Sequence, residues 1–213
     1  MDYSREIAER AWKIPTFKLA FDNPTTWASG YRMPVYNNNR RFFFNTEDRR
    51  LIVDAFCEEI EKIKYSDLMV IAGTSTAGIP WGALVADLFG TDFIYVRDKP
   101  KDHGLRNQIE GIDSESSLEG RKVILIEDLV STGGSSIKAI QAIRDAKGDC
   151  RHCISIFNYE LDGVSQSFDN LNPSCSLGYL LNYVTLIEVS KEENKISKEQ
   201  EKMLEEWKSD PFN

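Results

Sequence analysis

Glu127 and Asp128 are adjacent carboxylates that follow a short apolar run, Val123, Ile124, Leu125 and Ile126. A brief β-branched run of this kind reads as a strand covered on both faces. In parallel α/β sheets ligands collect beyond the carboxyl ends of the strands. The two acids therefore stand where they can accept hydrogen bonds from sugar hydroxyls. The chain then turns through Ser131, Thr132, Gly133, Gly134 and Ser135 toward a helix. Those residues offer successive backbone N–H groups and hydroxyls at a helix N-terminus, where the dipole favours a phosphate. One ligand satisfies both halves: a ribose carrying a 5′-phosphate.

Two further segments carry chemistry of the same kind. Gly73, Thr74, Ser75, Thr76, Ala77 and Gly78 follow another apolar strand. Small residues let the backbone approach a ligand closely, and the hydroxyls can donate hydrogen bonds. The segment lacks the Gly-Lys-Ser/Thr ending of a nucleotide P-loop, and the chain has no Gly-x-Gly-x-x-Gly. The other segment is Arg97, Asp98, Lys99, Pro100, Lys101, Asp102, His103 and Gly104, with Arg106 close behind. It is a basic island in an acidic chain, and its Lys, Arg and His side chains suit a polyphosphate leaving group. Gly104 and Gly111 would let it swing closed over a ligand.

The elements that must position these loops alternate. Residues 4–12 form a short amphipathic helix, and residues 17–36 are irregular, broken by Pro24, Gly30 and Pro34. That aromatic and polar stretch reads as a hood. Asn45 or Thr46 caps the next helix, which carries Glu47 and Asp48 in its first turn and an apolar stripe of Ile52, Phe56, Ile60 and Ile63. A strand over 68–72 runs into a helix over 80–89, with Pro80 suited to the first turn. A strand over 93–97 follows. Residues 98–117 are polar and aperiodic, and a loop that long inside a compact domain is functional or mobile. A strand over 122–126, a helix over 134–146 and a strand over 153–159 come next, then a short strand over 176–179 and a helix over 181–189. Ser197 and Gln200 form a capping box for a final helix with Met203, Leu204 and Trp207 on one side. Strand and helix in alternation give an α/β domain: a central, mostly parallel sheet with helices on both faces. At 213 residues the chain reads as a single domain. Its parts are an N-terminal helix and hood (1–44), a core (45–190) with a mobile loop (98–117), and a helical tail (191–213).

Composition bounds the partners. The formal net charge of −8 argues against a general nucleic-acid binder or a binder of anionic membranes, whose affinity would come from a basic face. An anionic substrate is still allowed, because only the local field at the site matters. No apolar run approaches the roughly 20 residues needed to span a bilayer. The N-terminus lacks the basic-then-apolar pattern of a signal peptide, and a cytoplasmic location is expected. Of four cysteines, Cys57, Cys150, Cys153 and Cys175, the pair in Cys150-Arg151-His152-Cys153 has metal-ligand spacing but no second pair to match it. They read as reduced thiols packed near a strand.

The stretch from Val123 to Ser135 resembles the phosphoribosyl-diphosphate (PRPP) motif of the type I phosphoribosyltransferases. The loop after Val96 is similar to the catalytic loop of the orotate members, Arg-Lys-x-x-Lys-Asp-His-Gly. Arg97, Lys101, Asp102, His103 and Gly104 match; Asp98 stands where that pattern has a second lysine, and Lys99 lies one place later. Trp27 through Tyr36 resembles the family's orotate-contacting segment, more often Ser-Gly-x-Lys-Ser-Pro. Here Arg32 takes the lysine position and Met33 the serine position. Arg keeps the charge and can grip a carboxylate through two N–H groups. Some members carry a base-contacting Arg after the strand that ends near Tyr159, and Phe157-Asn158-Tyr159-Glu160 holds none.

The resemblance implies the type I phosphoribosyltransferase fold with a small N-terminal hood. It also implies transfer of ribose 5-phosphate from PRPP to orotate, giving orotidine 5′-monophosphate and pyrophosphate on the way to UMP. Glu127 and Asp128 would hold the ribose hydroxyls. Ser131, Thr132, Gly133, Gly134 and Ser135 would hold the 5′-phosphate. Thr74, Ser75, Thr76, Ala77, Gly78 and Arg97 would hold pyrophosphate, with Lys99 adding charge. Lys101 and His103 would close over the leaving group, and Arg32 would face the base carboxylate. Mg²⁺ would be held mainly by PRPP and water. The family's mobile loop completes a partner subunit's site, which implies a homodimer. Two other readings share the pattern: the same PRPP site with another acceptor base, such as a purine, and a non-catalytic PRPP-sensing regulator. Lys101, His103 and the acidic balance argue against the sensor.

Overall fold

The computed structural model describes residues 2–20, 25–26, 32–64, 69–99, 108–113 and 116–210, with the backbone alone at 25, 26, 32 and 33. In chain order the elements are α1 (Tyr3–Lys13), β1 (Phe17–Leu19), β2 (Thr25–Thr26), β3 (Arg32–Met33), β4 (Val35–Asn37), a 3₁₀ turn (Asn39–Phe43) and α2 (Thr46–Ile63). Then come β5 (Met69–Thr74), α3 (Gly78–Phe89), β6 (Asp92–Val96), β7 (Ile109–Glu110), β8 (Lys122–Val130) and α4 (Gly134–Asp145). The chain continues as β9 (Asp149–Asn158), α5 (Val164–Asp169), β10 (Ser176–Asn182), α6 (Tyr183–Glu192) and α7 (Lys198–Ser209). They fall into two compact units, Met1–Ile52 with Leu181–Asn213, and Val53–Leu180.

In the first unit, α1 is capped by Asp2, whose carboxylate accepts from the Arg5 N–H, and it buries Ile7, Ala8 and Ala11. That side chain spacing is the one its sequence pattern requires. The described residues between 17 and 36 are more regular than their composition indicates. β1 pairs antiparallel with β4, and β2 with β3 through Thr25↔Met33 and Thr26↔Arg32. These strands are two or three residues long, too short for alternation to register. In α7 both bonds of the capping box form: Gln200 N–H to Ser197 Oγ at 3.2 Å, and Ser197 N–H to Gln200 Oε1 at 2.9 Å.

The second unit is built on a six-stranded sheet of order β10-β9-β8-β5-β6-β7. β5 pairs parallel with both β6 and β8, β8 pairs parallel with β9, and β7 runs antiparallel to β6. Ile71, Ala72 and all of Val123, Ile124, Leu125 and Ile126 are fully buried. Each large aliphatic among them contributes on the order of 1.5–3 kcal/mol through burial. Several boundaries differ from the sequence expectation, and one strand is additional. β8 does not stop at Ile126 but runs to Val130, because β9 lies beside it through Glu127↔Ser155, Leu129↔Phe157 and Val130↔Asn158. β9 starts at Asp149, ahead of a register shift beside Val123 and Ile124 that breaks its alternation. β7 appears within the expected long loop, through Tyr95↔Glu110 and Val96↔Ile109. β10 extends to Asn182, whose side chain caps α6 by accepting from Thr185 N–H at 2.8 Å, so that helix begins later than its sequence pattern indicates. α5 had no sequence signal of its own.

Candidate active site

The strand order places β5 at a reversal. From β5 the chain steps to β6 on one side and then returns to β8 on the other. The carboxyl ends of β5 and β8 therefore flank a topological switch point, where open α/β sheets bind ligands. Each of these strands leads through a small-residue turn into a helix. α3 follows Ala77 and α4 follows Gly133, and neither helix has a side-chain cap. Their leading N–H groups are left for an anion.

The first turn is held on both sides. Thr74 is buried, and its hydroxyl donates to the Ile126 carbonyl at 3.3 Å. Ser75 N–H donates to the Val96 carbonyl at 2.9 Å. The Ser75–Thr76 peptide is cis. Gly78 has no room for a side chain: a Cβ there would lie 2.5 Å from both Ile126 O and Thr74 Oγ1. Thr76 is exposed and Ala77 buried. In the second turn Gly133 has φ +77°, and a Cβ would lie 2.7 Å from the Phe168 ring. Both facts call for glycine. Ser131 is half-buried, while Thr132, Gly134 and Ser135 are exposed.

The acidic pair divides. Because β8 continues through both residues, successive side chains take opposite faces of the sheet. Glu127 is turned inward and is 5% exposed. Its Oε1 accepts from the Asp128 N–H at 3.0 Å, and its Oε2 accepts from Ser136 Oγ at 3.2 Å. Burial, and after it the charge of Asp128, pushes the Glu127 carboxyl up to about 8. Asp128 is half-buried, near the carboxyl end of β8.

Arg97 closes the neck of the basic loop. Its N–H donates to the Gln108 carbonyl at 2.8 Å, Gln108 Nε2 donates back to the Arg97 carbonyl at 3.3 Å, and Arg97 Nη1 lies 3.2 Å from Glu110 Oε1. A cleft with about 290 Å³ of empty space, partly open to solvent, is lined by Thr74, Ser75, Arg97, Gln108, Ser135 and Lys138 among others. The structure thus brings both turns and the loop neck to one place. Ser136 and Lys138 were not singled out in the sequence. The signal that could have found them is position: both lie in the first turns of the helix that follows the phosphate turn. Asp98 lines the same cleft, and Lys99 is exposed. Lys101 and His103, with Asp102, Gly104 and Arg106, lie outside the described residues, as do residues 27–31. Arg32 is placed by its backbone in β3 of the first unit. All four cysteines are free thiols, and Cys150 and Cys153 are buried in β9. Among the described residues no helix is long and apolar enough to cross a membrane.

The sheet order and the two uncapped turns are those of a phosphoribosyltransferase, and residues 49–166 match the phosphoribosyl transferase domain family. The orotate phosphoribosyltransferase of Streptococcus sanguinis (strain SK36) is 42% identical over 213 residues, covering 100% of this chain and 99% of its own. Two solved structures share the fold. Orotate phosphoribosyltransferase from Aeropyrum pernix has a TM-score of 0.72 at 21% identity, over 90% of this chain and 99% of that one. Mycobacterium tuberculosis H37Rv orotate phosphoribosyltransferase in complex with PRPP has a TM-score of 0.63 at 19% identity, over 87% of this chain and 99% of that one. The chain belongs to the orotate phosphoribosyltransferase family, within the type I phosphoribosyltransferases.

Proposed function

We propose that this protein transfers ribose 5-phosphate from PRPP to a ring nitrogen of orotate, giving orotidine 5′-monophosphate and pyrophosphate in the synthesis of UMP. The observation that carries the reading is the pair of uncapped small-residue turns at the β5/β8 switch point, with Asp128 near the carboxyl end of β8. The whole-chain relative at 42% identity directs the choice of base.

In this reading the turn over 131–135 takes the 5′-phosphate, and Asp128 accepts from the ribose hydroxyls with Glu127 behind it. The turn over 74–78 and Arg97 take the pyrophosphate. As the bond from the anomeric carbon to pyrophosphate breaks, the leaving oxygen keeps the electron pair and the sugar gains oxocarbenium character, as in glycosyl transfer generally. Positive groups at the departing oxygens lower that barrier most, since they are in place before charge develops. Arg97 and Lys99 are two such groups. Lys101 and His103 are assigned to close over the leaving group, with His103 able to give it a proton. Arg32 is assigned to the orotate carboxylate, on the resemblance of its segment. The ring nitrogen of orotate then forms the new bond to the anomeric carbon as its N–H bond breaks, the electron pair staying on nitrogen and the proton passing to water or to the departing pyrophosphate.

A hard divalent cation fits this donor set, because Asp128 is a half-buried carboxylate near the carboxyl end of β8, just before the phosphate turn. Asp128 would hold Mg²⁺ directly or through water, and PRPP and water would supply the other positions. The ion would neutralise charge on the pyrophosphate. A homodimer sharing its mobile loops, and a cytoplasmic location, belong to the same proposal.

The test is pyrophosphate release from PRPP with orotate, uracil, adenine or xanthine, with and without Mg²⁺. Release with orotate and Mg²⁺ alone is expected. A preference for a purine would replace the base assignment, and PRPP binding without release on any base would leave a sensor.

A further inference from the structure

Glu127 and Ser136 are both buried, at 5% and 0% exposed. A carboxyl taken out of water must find donors within the protein. Glu127 finds one on its own strand, the Asp128 N–H, and one on another element, the Ser136 hydroxyl at 3.2 Å. Ser136 is the third residue of α4, directly after the phosphate turn. The Glu127–Ser136 bond therefore joins the strand that carries Asp128 to the helix start that carries the cradle. The same carboxyl is faced by the Thr74 hydroxyl from β5, by the Asp128 carboxylate on its own strand, and by the Cys153 thiol from β9.

We propose that Ser136 is a positioning residue for PRPP: through the inward carboxyl of Glu127 it sets the phosphate turn in register with Asp128, so that both ends of the ribose 5-phosphate are gripped together. The inference rests on the phosphoribosyl-transfer reading and adds to it a residue that touches no substrate.

The experiment is calorimetric binding of PRPP at about pH 7 to the full chain as wild type, Ser136→Ala and Ser136→Cys, with steady-state kinetics of each. Ser136→Ala is expected to weaken PRPP about tenfold, the scale of one lost hydrogen bond to a buried polar group. The KM for PRPP should rise alike, while the KM for orotate stays within about twofold, since the loss is on the phosphate side. Ser136→Cys keeps the volume with a poorer donor and is expected to fall between wild type and Ser136→Ala. Wild-type PRPP affinity in Ser136→Ala, or equal losses for PRPP and orotate, would overturn the assignment and leave Ser136 as packing alone. Should Ser136→Ala fail to fold, Ser136→Cys carries the test, and wild-type PRPP affinity there would overturn the proposal. A wild-type protein that binds PRPP but turns over no orotate would remove the reaction and leave the Ser136 result standing, because the calorimetry reads PRPP alone.

Discussion

Arg97 and Glu110 pair across the hairpin of β6 and β7, Nη1 to Oε1 at 3.2 Å, and so hold the residue that opens the basic loop against the residue just after its return. Arg97 is also a cleft residue. In the proposed mechanism Glu110 therefore aims the guanidinium assigned to the pyrophosphate. Their side chains are 39% and 22% exposed, and a pair this open to water is worth about 0–1 kcal/mol to folding. Glu110→Gln is expected to change the urea unfolding free energy by less than about 1 kcal/mol while raising the KM for PRPP several-fold. A large stability loss with unchanged kinetics would make the pair a structural clasp only.

Lys101 acts, in the proposed mechanism, on the leaving group. Lys101→Ala should lower kcat by about 100-fold or more, the usual cost of removing a group that stabilises developing charge. The thermal unfolding midpoint should stay at the wild-type value, since the role assigned to Lys101 is in the chemistry and not in core packing. Unchanged steady-state rates would take this loop out of the mechanism.

Much of the core was legible because its signals are local. The apolar run ending at Ile126 and the capping box of Ser197 and Gln200 announce a strand and a helix start from a few neighbouring residues. The three loops were legible because glycine, hydroxyl and cationic residues concentrate there. What escaped depends on partners distant in sequence. β7 is two residues long and is a strand only through its pairing with β6. The start of β9 was hidden because Val123 pairs with Cys150 but Ile124 with His152, leaving Arg151 as the extra residue that breaks the period of two. The division between Glu127 and Asp128 follows from how far β9 accompanies β8, which no window around residue 127 contains. Ser136 and Lys138 are ordinary helix residues until the fold turns them toward Glu127 and the cleft.

Lys138 projects from α4 into the cleft that Ser75 and Arg97 also line. With Arg97 it places a cation beside the turn over 74–78, which the proposed mechanism assigns to pyrophosphate. Lys138→Ala should weaken product inhibition by pyrophosphate about three- to tenfold, the scale of one charge-assisted contact. The effect should shrink as salt rises, because a partly exposed charge is screened. Inhibition kinetics at low and high ionic strength read both. A wild-type inhibition constant for pyrophosphate at low salt would remove Lys138 from the site.

Glu127 ties the stability of the fold to pH. Its carboxyl has an ordinary value of 4.5 and is pushed up to about 8 in the folded protein, by burial first and by Asp128 second. Between those values the folded state holds a proton that the unfolded state has released. Stability must then fall as pH rises, because the unfolded chain binds fewer protons. The contribution is fully present below about pH 4.5 and lost as pH passes about 8, and a displacement of this size corresponds to a few kcal/mol. This is the reverse of a salt-bridged carboxylate, which stabilises above its unfolded value. Glu127→Gln keeps the shape and removes the proton. Urea unfolding between pH 5 and 9 should therefore show a declining free energy in the wild type and a flatter profile in the variant. Equal slopes in the two proteins would mean that Glu127 is already ionised at neutral pH, with the hydroxyls of Thr74 and Ser136 outweighing its burial.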